Sequence, residues 1–144
     1  MPARASTGRR SASLGGAAIE FAIILPLFLA VLFGIIDYGW YFYERYALVA
    51  AIRDGTRHGV TFASGSAWTK AKARTTTDLS AAGSPIDPAS LTWLPVSPTL
   101  PTSGIVPNEV LTFGAQLTFK PLVGFVPLPT TVKYQMTMLL EIQP

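Results

Sequence analysis

The feature that most constrains this chain is the run from Ala17 to Ile36, AAIEFAIILPLFLAVLFGII, in which Glu20 is the one charged residue. At 1.5 Å per residue a helix of this length spans about 30 Å, the thickness of a bilayer's hydrocarbon core. Later apolar runs are all broken by polar residues or proline, so a single membrane span is expected. Arg4, Arg9 and Arg10 precede it with no acidic residue among them, while Asp37 and Glu44 follow. That cation bias places the N-terminus in the cytoplasm and the rest of the chain outside.

A conventional secretory signal peptide also begins with basic residues and an apolar run. Its apolar core is normally about 7 to 15 residues long and ends at a small-x-small cleavage site. Here the run is longer and passes into IIDYGWYFYE, which offers no such site. Release by that route would leave an N-terminus near Gly39 or beyond.

Two residues within the span require a reason. An ionised Glu20 costs up to about 2.5 to 3.5 kcal/mol at mid-bilayer and less near the interface. It is either an interfacial acid favoured by the helix N-terminal dipole or a charge kept for a partner amine. Pro26 lacks an N–H and crowds the carbonyl four residues back, which predicts a local kink near Ala22.

Beyond the span, Tyr38, Tyr41, Phe42, Val49, Ile52, Thr56 and Val60 recur at spacings of three and four. They predict that the helix continues as an amphipathic rod to about residue 63. Glu44, Arg53, Asp54, Arg57 and His58 fall mostly off this stripe. Trp40, Tyr41 and Tyr43 suit the outer membrane interface. Ala47, Ala51, Gly55 and Gly59 lie four apart and form a stripe of small side chains. It serves either close packing on the chain's own domain, the commoner use, or an intersubunit groove.

Ser64-Gly65-Ser66 reads as a helix break, with a second helix from Trp68 to Ala81 capped by Ser66. The β-branched run Thr75-Thr76-Thr77 weakens that assignment. Leu111, Phe113, Ala115, Leu117 and Phe119 alternate with polar residues or glycine, as do Val132, Tyr134, Met136, Met138, Leu140 and Ile142 with their neighbours. This period of two predicts a pair of half-buried antiparallel strands joined by a Pro-rich turn around Gly124 to Pro129. Leu91 to Val96 is a third strand, at an edge because Pro95 has no N–H to donate. The expected fold is α+β: a long N-terminal helix, membrane-spanning in its first half and amphipathic in its second, packed on a small antiparallel sheet.

The chain carries little catalytic chemistry. It has 144 residues, about one domain, with no cysteine and a single histidine. His58 follows Asp54 by four residues, a spacing that predicts a surface ion pair or hydrogen bond. No G-x-S-x-G elbow, H-E-x-x-H or phosphate-binding loop is present. A net charge of +3, with its cations scattered, does not form a nucleic-acid footprint. No catalytic residue, metal, cofactor, nucleic acid or small-molecule substrate is expected.

The block Ser13-Leu14-Gly15-Gly16-Ala17-Ala18-Ile19-Glu20-Phe21 resembles the prepilin pattern, in which a glycine is followed by four residues, a glutamate and an aromatic. Leu25-Pro26-Leu27, Gly34-Ile35-Ile36-Asp37-Tyr38-Gly39 and Ala47-Leu48 through Arg53-Asp54-Gly55-Thr56-Arg57 extend the likeness to the TadE-like pseudopilins of the tight-adherence (Tad) pilus systems. The ending Met136-Thr137-Met138-Leu139-Leu140-Glu141 is similar to that family's closing strand, and the middle third matches no known pattern. The resemblance implies a pilin-like plan and cleavage after Gly15 by a prepilin peptidase. Residues 1–15 would be a cytoplasmic basic leader, 16–37 the transmembrane helix and 38–144 an outward-facing domain. Glu20 and Phe21 would act in export and assembly, with Glu20 pairing with the terminal amine on Gly16 of a neighbouring subunit. The implied partners are the membrane, the prepilin peptidase, other pilin or pseudopilin subunits and the Tad assembly machinery, at the bacterial inner membrane. The contrasting expectation is a signal-anchored envelope or adhesin-like binding protein that joins no filament.

Overall fold

The computed structural model describes residues 11–62, 64–81, 83–95 and 110–140. Arg4, Arg9, Arg10, Val96 and Ile142, used above, lie outside them. Helix α1 runs from Ser11 to Gly59 and continues through Pro26 without interruption. Helix α2 spans Ser64–Leu79, and a 3-10 turn over Pro88–Ser90 leads to strand β1, Thr92–Leu94. Strands β2, Val110–Thr118, and β3, Thr131–Leu139, complete an antiparallel sheet of order β1-β2-β3. The expected α+β arrangement of a long apolar helix and a small antiparallel sheet is the one observed.

The first half of α1 packs against almost nothing. Ile19, Phe21, Ile23, Ile24, Leu27, Phe28 and Val31 are all exposed, so the fold itself gives this apolar surface no cover. The second half organises the head. Leu48 and Ile52 are fully buried and enter one core with Ala67 and Ala71 of α2 and Phe113, Ala115 and Val132 of the sheet. Trp93 stacks on Phe113 at 5.7 Å and Trp68 meets it edge-on at 6.0 Å. Such ring pairs add about 0.5 to 1.5 kcal/mol to the burial itself.

The small-residue stripe proves to be the seat of α2. A Cβ on Gly59 would lie 2.7 Å from the Ala67 carbonyl and 2.8 Å from the Ala71 Cβ, and one on Gly55 would collide with Thr75. Ala51, Gly55 and Gly59 thus face Thr75, Ala71 and Ala67 in antiparallel order. Thr75 donates to its own helix at Ala71 O (3.0 Å) and across to Ala51 O (3.2 Å). The threonine run is helical despite its β-branched side chains, and Thr75, Thr76 and Thr77 each satisfy their hydroxyl on the carbonyl four residues earlier.

Several boundaries differ from those expected. α1 ends at Gly59 rather than near residue 63, and Thr61 N–H and Phe62 N–H turn back to His58 O and Gly59 O. The Thr61 hydroxyl also takes His58 O, at 2.8 Å, so local side-chain bonding replaces further helical bonds. Because the chain turns there, Ser64-Gly65-Ser66 becomes the first turn of α2, and Ser66 lies inside the helix. Of the proposed apolar stripe, Ile52, Thr56 and Val60 are buried, whereas Tyr38 and Phe42 are exposed and Glu44 is buried in their place. β1 is an edge strand ending just before Pro95, as proline requires.

Candidate functional site

α1 carries every residue singled out for processing and assembly. Gly15 and Gly16 are helical, and a Cβ at either would meet nothing within 4 Å. Glycine inside a helix costs about 1 kcal/mol relative to alanine. At Gly55 and Gly59 close packing against α2 explains the residue; at Gly15 and Gly16 nothing among the described residues does. An external partner that needs an unhindered or unwound backbone would explain them. Glu20 is exposed, four residues after Gly16 and hence on the same helix face, and among the described residues it has no ion pair. Phe21 is exposed beside it. Pro26 sits farther along the same unpartnered stretch.

A second site was not foreseen. Asp37, at the C-terminal end of the apolar run, is completely inaccessible. Its carboxylate accepts the backbone N–H groups of Val123 (2.9 Å) and Gly124 (3.0 Å) from the loop between β2 and β3. Gly124 has φ +73°, a left-handed conformation that favours glycine. Below this latch Phe125 meets Phe33 edge-on at 6.5 Å, and a Cβ on Gly34 would sit 3.3 Å from Val126 Cγ2. The available signal was an acid closing an apolar run, which must find donors if it is not solvated.

Farther along α1, burial raises the Glu44 carboxyl above its ordinary value, partly offset by the Trp40 indole N–H. Glu44 Oε2 is buried and has no hydrogen-bond partner among the described residues. Trp40 and Tyr41 pack on the head's core, and Tyr41 also meets Phe119 at 5.2 Å. Tyr43 donates to Gly83 O at 2.8 Å. These rings tie α1 to its own head, beyond the interfacial role expected of them.

Arg74 of α2 binds Asp54 of α1 at 2.7 Å and Asp78 at 3.3 Å. Its hydrogen bond holds the Asp54 carboxyl below the ordinary range, while burial and then contact with Asp54 raise that of Asp78. Asp54 thus takes Arg74 as its hydrogen-bonded partner, with the charge of His58 acting on it in the same direction, while the His58 ring lies edge-on to Phe62 at 5.0 Å. The two aspartates border a cleft of about 510 Å³ walled by Tyr43, Ala47, Ala50 and Pro85. Among the described residues no three metal-ligating side chains gather.

A long helix whose apolar half is unpartnered, carrying an α+β head on its other half, has the architecture of a membrane-anchored protein. Residues 15–57 match the family model described as TadE-like protein, the family suggested by the motifs from Ser13 onward. The match begins at the glycine pair and ends near the close of α1, leaving α2 and the sheet outside it. No curated protein and no solved structure matches the chain.

Proposed function

We propose that this chain is a minor pilin-like or pseudopilin subunit of a Tad-type pilus or secretion apparatus. In this reading the prepilin peptidase cuts between Gly15 and Gly16, and the protein works through assembly rather than catalysis. The observation that carries it is the family match over residues 15–57, which begins on the part of α1 that the fold leaves bare and extends over the half that packs on the head. An apolar half-helix without internal partners is suited to lipid before assembly and to neighbouring helices afterwards.

Cutting gives Gly16 a free amine four residues from Glu20. A carboxylate held in apolar surroundings is costly unless paired, and a neighbour's terminal amine supplies the opposite charge. Residues 16–37 cross the inner membrane, and the domain from 38 onward lies on its outer side. The test is recovery of the chain with the surface filament or its membrane base, for the native protein and for Glu20→Ala. Recovery of the native chain and loss of the variant supports the reading. Equal recovery of both removes the pairing role, and absence of the native chain from both fractions removes the assembly role.

A further inference from the structure

The loop that latches onto Asp37 is unusually apolar for part of an outward-facing head. From Pro121 to Val132 it carries no charge, and Lys120 and Lys133 stand at its two ends. Leu122, Val123 and Phe125 are 60%, 46% and 64% exposed, so the head's own core does not account for them. Their height along α1 is fixed by contacts. Asp37 binds the Val123 and Gly124 amides, and Phe125 reaches back to Phe33. Phe33 precedes Asp37 by four residues, which is about 6 Å closer to the bilayer centre along a helix. Phe33 and Gly34 belong to the apolar run itself, whose Leu32, Ile35 and Ile36 are also exposed.

We propose that residues 121–128 form a second membrane contact, a loop that enters the outer leaflet beside α1. Leu122, Val123 and Phe125 meet acyl chains, and Lys120 and Lys133 face the headgroups. The inference rests on α1 crossing the membrane and is independent of filament assembly. The occupant is lipid because the loop is held at the level of residues already inside the span. Depths of about 5 to 10 Å are usual for interfacial elements. Asp37 lets the backbone sit there by accepting two amides that lipid would leave unpaired.

The chain has no cysteine, so single nitroxide labels can be placed cleanly in the full-length protein. The labelled variants are Phe125→Cys, Leu27→Cys as the span reference and Arg57→Cys as the water reference, in phosphatidylcholine and phosphatidylglycerol vesicles. Collision rates with oxygen and with a water-soluble nickel chelate report depth. The label at 125 should follow that at 27, with an oxygen-to-nickel ratio several-fold above that at 57. A label at 125 that follows 57 while 27 reports lipid overturns the loop proposal alone. If 27 also reports water, the span reading fails and the proposal falls with it. Protection at 125 that disappears on dilution with lipid assigns the loop to a second copy and likewise overturns it.

Discussion

Three of the four carboxylates on α1 meet different surroundings, and each gives a different test. Glu20 is exposed and contacts nothing described in its own chain, so Glu20→Ala should change the head's stability by no more than about 0.5 kcal/mol. A loss of assembly would then be due to the missing charge and not to misfolding; thermal unfolding beside the assembly assay checks this. Asp37 holds a loop, and Asp37→Ala should speed amide exchange at Val123 and Gly124 while sparing the β2–β3 ladder. Gly34→Leu should do the same with the carboxylate intact, because the new side chain drives into Val126. Unchanged exchange in both variants would mean that the latch is not what holds the loop. Glu44 is raised from its ordinary value near 4.5 by burial, so the folded state holds its proton more tightly than the unfolded chain. Its contribution to stability is complete below the unfolded value and is lost as pH rises through the folded one. Glu44→Gln should flatten that fall in melting temperature as pH rises above 4.5.

At the scale of elements, the α1–α2 contact depends on the absence of side chains. Gly55→Ala places a methyl where Thr75 and the Ala71 carbonyl already lie, and overpacking of this kind costs about 1 to 3 kcal/mol. The variant should unfold at lower temperature, whereas Gly15→Ala, with open space around it, should leave the head unchanged. The stripe was legible in the sequence as four-residue spacing, but its partner was not, since nothing in one helix says which surface will fill its groove. The strands were the clearest elements. Leu111, Phe113, Ala115, Leu117 and Phe119 alternate without a break and are all buried in the structure. Helix ends were less legible because they turn on local competition, as where the Thr61 hydroxyl takes the His58 carbonyl. Glu44 falls off the apolar stripe in the sequence and yet is buried, because helical spacing gives the face of a residue and not what covers it. Asp37's role was hidden for a related reason: its donors lie more than eighty residues away, in a loop that the sequence marked only as a turn.

At the scale of the whole molecule, α1 joins two tasks. Its C-terminal half is fixed by α2, by the sheet through the Arg53–Tyr134 contact and by the β2–β3 loop. Its N-terminal half is bare and available for lipid or for other helices. Glycines at 15 and 16 weaken the helix where the proposed cut falls, and no packing among the described residues requires them. We propose that the chain is matured at this point before it assembles. The most direct measurement is the intact mass of the protein from its native envelope, with and without the prepilin peptidase and for Gly15→Val. A chain beginning at Gly16, and full-length protein in both the peptidase-free strain and the variant, is the predicted result. Full-length native protein in the presence of an active peptidase would contradict it.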